Sequence, residues 1–265
     1  ESDAKNAKNL IDKEFEFEIS QKKINHSLIE SSLSNIAIVG DNMKSKEGVS
    51  GKLFSTLGNN NINIRAIAQG ASERNISIII DAKDNTKALN SLHEAFFENN
   101  CKNVHLFITG VGNVGSNLIK QIHDQKNSLE KNLSLKLKVM GLSNSKKMIL
   151  SETEIDLNNW KSKLDSSEIK SDNDKFLKFS IKQNLRNSLF IDNTANSDIT
   201  INYSSYLKNG IGIVTCNKIA CSDKLEKYLE LKSLSKNHNA PFLYETNVGA
   251  ALPIIDTLNN LINSG

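Results

Sequence analysis

The sequence predicts an α/β chain in which a doubly wound parallel sheet follows a smaller α+β unit, and three observations predict it. Residues 104–116 read VHLFITGVGNVGS, an apolar run of strand formers that breaks into spaced glycines and then into helix-spaced Leu118, Ile119 and Ile122. After it, short apolar runs at 135–142, 189–191, 212–215 and 242–244 alternate with helical patterns, as in a parallel sheet covered by helices on both faces. Before it, residues 35–100 read strand, helix, strand, strand, helix.

Residues 1–34 are polar and lysine-rich, with helix-compatible spacing around Leu10 and Ile11. Phe15, Glu16, Phe17, Glu18 and Ile19 then alternate as a half-buried strand does, and are expected to supply an edge strand to the α+β unit. That unit runs through a strand at 36–39 and a helix with Val49, Leu53 and Leu57 on one face, ending at Gly58. A strand at 62–68 follows, then a third on which Ile76, Ile78 and Ile80 alternate, and a helix carrying Ala88, Leu89, Leu92 and Phe96. The expected domains are 1–34 and 35–100, both part of this first region, and 101–265 for the doubly wound sheet.

In the glycine turn each glycine has its own task. Gly110 makes the turn, Gly112 lets backbone approach a pyrophosphate, and Gly115 lets helix and strand pack closely. Phosphates would then sit on unpaired N–H groups at the helix start, so Gly110, Val111, Gly112, Asn113, Val114 and Gly115 are the candidate dinucleotide contacts. The strand at 135–142 bears on which dinucleotide. An NAD unit usually ends this strand in Asp or Glu, whereas here Ser143 and Asn144 lead to Ser145, Lys146 and Lys147, which suit a 2′-phosphate and favour NADP. The plain alternative is a solvated lysine loop.

Residues 152–183 are polar, with an amphipathic piece near Leu157, Trp160 and Leu164 and no recognisable chemistry. The strand at 189–191 ends in Asp192, Asn193, Thr194 and Ala195, and a helix through Ile199, Tyr203 and Leu207 stops at Gly210. The strand at 212–215 delivers Cys216, Asn217 and Lys218 to its carboxyl end, where open α/β sheets bind ligands. A helix capped at Ser222 carries Leu225, Leu229 and Lys232. After the strand at 242–244 comes Glu245, and Pro253 opens a last helix whose Ile254, Leu258, Leu261 and Ile262 are expected to face a core.

Composition narrows the classes. A chain of 265 residues suggests two domains, and a net charge of +3 from scattered lysines, without a basic stripe, argues against nucleic-acid binding. No apolar run nears the roughly 18 residues of a membrane span, and residues 1–8 lack the order of a signal peptide, so cytoplasm is the default. Cys101, Cys216 and Cys221 have no metal-type spacing and read as reduced, packed thiols; the five histidines are isolated from one another. The start at Glu1, without a methionine, fits a piece of something longer.

The stretch GVSGKLFSTLGNNNINIRAIAQGASERNISIII at 48–80 resembles the second ACT-type regulatory unit of the bifunctional aspartokinase/homoserine dehydrogenase family. FITGVGNVGS, GLSNSKK, IDNTA, VTCNK and LYETNVGAALP are similar, in that order, to landmarks of that family's Rossmann-type homoserine dehydrogenase nucleotide domain. Two departures are visible: Ala251 where the family usually has glycine, and Cys216 where it often has proline.

The resemblance implies an NADPH-dependent interconversion of aspartate semialdehyde and homoserine, on the path to threonine and methionine, in a homo-oligomeric enzyme. It implies nucleotide contacts at Thr194 and Ala195, a catalytic and cofactor-binding role for Lys218, and a monovalent cation (Na+ or K+) near Glu245 with carbonyls of Val248, Ala250 and Leu252. It also implies an amino-acid effector, threonine, for which Asn63 and Gln69 offer amides. The kinase domain would precede Glu1 and the substrate domain would follow Gly265, so the given chain is expected to bind cofactor without turnover. The alternative is a non-catalytic effector-binding module of ACT and Rossmann units.

Overall fold

The computed structural model describes residues 2–40, 43, 47–69, 74–97, 102–249 and 252–264. The chain divides into two compact units, Glu1–Val49 with Asn63–Thr86, and Ser50–Ile62 with Lys87–Gly265.

The first unit opens with helices α1 (Ser2–Glu14) and α2 (Glu16–Ser20), so the expected strand at 15–19 is a helix. The N–H of Phe15 donates to the Ile11 carbonyl and that of Ile19 to the Phe15 carbonyl, each at 3.0 Å, the helical i to i−4 spacing. Local bonds satisfy this backbone without a partner strand, and Phe15 and Phe17 stay exposed. Strands β1 (Leu33–Val39), β2 (Ile64–Gln69) and β3 (Asn75–Asp81) form an antiparallel sheet in the order β1-β3-β2, and no fourth strand joins it among the described residues. Ile76, Ile78 and Ile80 are buried on one face of the central strand, the period of two expected from the sequence.

The second unit takes in all but the first residue or two of α3 (Val49–Asn59) and α4 (Asn85–Phe97), which bury Leu53, Leu57, Ala88 and Leu92 and leave Leu89 exposed. Then follow β4 (Lys102–Thr109), α5 (Asn113–Leu133), β5 (Leu135–Ser143), β6 (Met148–Leu150), α6 (Trp160–Ser166), α7 (Asn173–Gln183) and β7 (Ser188–Asp192). The chain continues through α8 (Ser197–Thr200), α9 (Tyr203–Lys208), β8 (Gly212–Thr215), α10 (Ile219–Ser222), α11 (Leu225–Asn237), β9 (Phe242–Leu243) and α12 (Ile254–Ser264). The sheet order is β6-β5-β4-β7-β8-β9, parallel except that β6 runs antiparallel to β5. The chain leaves β4 for β5 on one side and returns to β7 on the other, which makes β4 and β7 the topological switch of a doubly wound fold.

Strand β4 is buried from Val104 to Thr109, and mostly apolar there, because both its faces are covered. Val104, Leu106 and Ile108 join Ile119 and Ile122 of α5 in one core, while Phe107 joins Phe176, Phe190, Tyr206 and Phe242 in the other. In that second core the Phe190 and Tyr206 rings stack at 4.1 Å.

Four expectations change here. Helix α7 and edge strand β6 lie where no element was foreseen. Asp172 caps α7 by accepting from the Lys175 N–H at 2.8 Å, and Phe176 fills the core. The helix expected through 199–207 breaks in two at Ile201 and Asn202, where i to i−3 bonding tightens the turn. Ser222 belongs to α10 rather than capping α11, and α11 buries Leu231 rather than the exposed Leu225 and Leu229. Finally, α12 has no buried residue: Leu258, Leu261 and Ile262 are exposed, since no element of the described chain packs over that face.

Candidate functional site

The carboxyl ends of four neighbouring strands fall in one row. Thr109 of β4 pairs with Ser143 of β5 and Asp192 of β7, and Asp192 pairs with Thr215 of β8. At one strand spacing per step the row spans about 14 Å. Every candidate nucleotide contact follows one of these four residues, so the fold gathers on one sheet edge what the sequence scatters over more than a hundred positions.

The glycine turn sits at the centre of the row. Gly110 has φ +85°, and a Cβ there would lie 2.6 Å from the Thr194 methyl and 2.8 Å from the Asn193 carbonyl carbon. A Cβ on Gly115 would fall deep inside contact with the Gly110 carbonyl oxygen, and 3.3 Å from the Asn193 amide nitrogen. Gly112 differs: nothing lies within 4 Å of its added Cβ. The protein leaves that space open in front of the first turn of α5, whose first N–H groups have no carbonyl four residues back within the helix. Asn193 Nδ2 is buried beside the turn and has no hydrogen-bond partner. An open glycine cradle, a long helix starting behind it and an orphaned amide donor fit an anionic dinucleotide.

Beneath the row lies a polar network that the sequence reading missed. The Asp192 carboxylate is fully buried, and among the described residues no cation pairs with it. It accepts from the Tyr203 hydroxyl (2.7 Å), the Asn217 amide (3.0 Å) and the Thr194 N–H (2.8 Å). The Asn217 amide also reaches the Asn196 carbonyl at 3.0 Å, and the Asn217 N–H donates to Thr215 Oγ1 at 2.9 Å. Burial, and then the Asp192 charge, push the Tyr203 phenol up, so it stays protonated and donates. The network thereby fixes Thr194 and Ala195 after β7 relative to Lys218 after β8. Its only signal in the sequence is the placing of polar residues directly after apolar strand runs.

Lys218 is exposed at the start of α10. Cys216 lies near Asn193 Oδ1 at 4.0 Å, and burial pushes its thiol and that of Cys221 up; both are free and half-buried. Cys101 lies outside the described residues.

The loop after β5 separates its two lysines. Asn144 Oδ1 accepts from the N–H groups of Lys146 and Lys147 at 2.7 Å each, which pins the loop. The Lys147 ammonium donates to the Asp165 carbonyl, while Ser145 and Lys146 point to solvent. Lys147 is thus engaged elsewhere, and Ser145 and Lys146 stay exposed.

The residues expected around a cation are described only in part. Both Glu245 oxygens already accept from α12, from the Ile255 N–H at 2.9 Å and the Asp256 N–H at 3.0 Å, and the Leu252 carbonyl accepts from the Ile254 N–H. Val248 is exposed and Ala250 lies outside the described residues. Glu245 is a helix cap. Among the described residues no group of three His, Cys, Asp or Glu side chains could hold a metal, and no helix is long and apolar enough to cross a membrane. Asn63 stands just before β2 and Gln69 at its far end.

Two family models match the chain: an ACT domain over residues 36–96 and the homoserine dehydrogenase NAD binding domain over residues 110–245. A bifunctional aspartokinase/homoserine dehydrogenase of Haemophilus influenzae is 38% identical over 98% of this chain and 32% of its own length. A chloroplastic relative of the same description from Arabidopsis thaliana is 40% identical over 88% of this chain and 25% of its own length. The chain therefore spans about a third or less of these relatives. A hyperthermophilic archaeal homoserine dehydrogenase solved in complex with NADPH shares the fold with a TM-score of 0.51 at 24% identity, over 61% of this chain and 50% of that one. With the glycine turn, the strand-end row and more than half the chain matched, this protein belongs to the homoserine dehydrogenase family through its nicotinamide dinucleotide-binding domain, preceded by an ACT domain.

Proposed function

We propose that this chain carries the NADPH-binding part of a homoserine dehydrogenase within a bifunctional aspartokinase/homoserine dehydrogenase, serving the interconversion of aspartate semialdehyde and homoserine. The observation that carries the reading is the open space at Gly112 in front of α5, on the same row as Lys218. When bound, the nicotinamide supplies or accepts the hydride. The chain's own residues do the rest. The first turn of α5 and Gly112 seat the pyrophosphate, and Ser145 with Lys146 hold the 2′-phosphate. Asn193 Nδ2 donates to the bound nucleotide, and Thr194 and Ala195 line the ring's approach. Lys218 offers an ammonium donor to the carbonyl oxygen of a substrate, held in place through Asn217 and Asp192.

In this reading residues 35–100 are the regulatory unit and 101–265 the nucleotide unit of a cytoplasmic homo-oligomer. The ACT unit answers to an amino acid such as threonine, to which Asn63 and Gln69 offer amides.

A titration with NADPH and NADH, following nicotinamide fluorescence, tests the reading. Tighter binding of NADPH that is lost in Gly112→Ala supports it; binding of neither nucleotide by the folded chain refutes it.

A further inference from the structure

At the opposite, amino-terminal end of the six-stranded sheet, the second unit contains a half-open cavity of about 440 Å³ that the nucleotide reading does not use. Its volume falls in the range of small-ligand sites. Lys102 at the start of β4 and Arg186 just before β7 line it, with Asn61, Asn187 and Asn239, and among the described residues its lining contains no carboxylate.

The polarity of this wall is specific. Arg186 is held by Glu94 at 3.1 Å and by the Ser91 carbonyl at 3.2 Å, both through one terminal nitrogen, while its buried Nε has no partner. Lys102 is exposed and among the described residues makes no ion pair. The amides already donate to backbone: Asn61 to the His238 carbonyl at 2.7 Å, Asn239 to the Asn59 carbonyl at 3.2 Å and Asn187 to the Asn103 carbonyl at 3.0 Å. That leaves amide oxygens as acceptors on the same wall that carries the cations. A ligand matched to it has an anionic group for the cations and a hydroxyl or ammonium donor for the amide oxygens.

We propose that this cavity is a second ligand site, taking a small carboxylate that also bears a hydroxyl or ammonium group, with Arg186 and Lys102 on the carboxylate and the asparagine oxygens on the donor. The site stands independently of the nucleotide reading. It joins helices of the ACT-matched span to the two strands whose far ends carry Gly110 and Asp192.

Three four-carbon dicarboxylates that differ only at C2 test it: L-malate (hydroxyl), L-aspartate (ammonium) and succinate (neither). Each is titrated calorimetrically into the full chain, and hydrogen exchange is followed over residues 59–61, 102–104 and 185–189. Saturable binding of malate or aspartate with protection confined to those segments is expected, with succinate roughly tenfold weaker for the lost donor. Which of the two binds more tightly identifies the donor. Lys102→Ala, at an exposed position, is expected to weaken binding roughly tenfold, as is Arg186→Lys, which keeps a cation against Glu94 but removes Nε. Succinate binding as well as the others would overturn the role of the amide oxygens. No saturable binding of any of the three, or binding unaffected by both substitutions, would overturn the site.

Discussion

Alanine at Gly112 and at Gly115, three residues apart in the same turn, should fail in opposite ways. At Gly112 φ is −73°, outside the left-handed region, and the new methyl meets no protein atom within 4 Å. Stiffening the unfolded chain gains about 0.4–1 kcal/mol, and losing glycine at a helix N-cap costs about the same, so the two nearly cancel. Stability should change by less than about 1 kcal/mol, or about 4 °C in Tm for a unit of this size. The methyl instead occupies the space through which backbone reaches the pyrophosphate, and NADPH affinity should fall tenfold or more, about 1.4 kcal/mol. At Gly115 the methyl collides with the Gly110 carbonyl. Gly110 is itself confined, since a Cβ built on it would meet Thr194 and Asn193 at 2.6–2.9 Å. Overpacking near the top of its range, about 3 kcal/mol, less about 1 kcal/mol of helix propensity, leaves a loss of about 2 kcal/mol and a Tm lower by roughly 4–8 °C. Scanning fluorimetry and a nicotinamide fluorescence titration on the two variants separate the effects. If Gly112→Ala binds NADPH as the parent does, the pyrophosphate does not lie at this turn and the reasoning fails.

The other predictions follow from single contacts. Lys146→Ala should narrow the preference for NADPH over NADH by about tenfold, while Lys147→Ala, whose ammonium is bound to the Asp165 carbonyl, should leave it unchanged; paired titrations decide. His105 is buried and neutral, with a ring nitrogen 2.8 Å from the Arg186 carbonyl; desolvation holds its pKa below the ordinary value, assisted by the Lys138 and Arg186 charges. Its contribution is therefore complete above the unfolded pKa of about 6.5 and is lost as pH falls through the lower folded value. His105→Asn, which keeps a donor without titrating, should shrink the Tm difference between neutral and mildly acidic buffer. The Lys8 ammonium, and then the Ser27 N–H, hold the Asp12 carboxyl well below the usual carboxylate range. That depressed pKa gives a contribution present above about pH 4 and lost only in stronger acid. In Asp12→Asn, hydrogen exchange over residues 2–27 should be faster at neutral pH and less sensitive to acid.

The parts of the fold legible in the sequence were those where one local pattern has one physical solution. A strand buried on both faces is mostly apolar, which is how β4 reads from Val104 to Ile108, and the spacing of Gly110, Gly112 and Gly115 has few uses directly after such a strand. The alternation of Ile76, Ile78 and Ile80 is equally direct. What escaped depended on distant partners. Phe15 to Ile19 alternates as a strand does, yet the Phe15 and Ile19 N–H groups bond to carbonyls four residues back, as in a helix. Leu258, Leu261 and Ile262 share a helix face, but periodicity does not say whether anything covers it. Lys146 and Lys147 are indistinguishable in sequence and differ only because the Asp165 carbonyl, at the end of α6, lies within reach of one of them. Helix α7 was hidden by its charge: lysines alternate with Phe176, Phe179 and Ile181, and only the Asp172 cap marks its start.

The buried carboxylate of Asp192 shows how such long-range terms serve the site. An ionised group taken out of water without a cation is costly unless hydrogen bonds replace its hydration. Asp192 receives three, each from a different segment: the Thr194 N–H from the loop after β7, the Tyr203 hydroxyl from α9 and the Asn217 amide from the loop after β8. Each donor is held by the penalty of leaving the charge unsatisfied, so none of the three segments can drift without exposing or stranding it. Tyr203→Phe removes one donor while keeping the ring in its aromatic core, and a lost hydrogen bond to a charged group is worth about 1.5–3 kcal/mol. If Asp192 positions the loops, the variant should lose NADPH affinity as well as stability, although Tyr203 is buried beneath the row and its hydroxyl is spent on Asp192. Restoring Tm with a stabilising solute such as sucrose should leave the affinity defect in place. Recovery of both together would mean that the network stabilises the fold and does not set the geometry of the site.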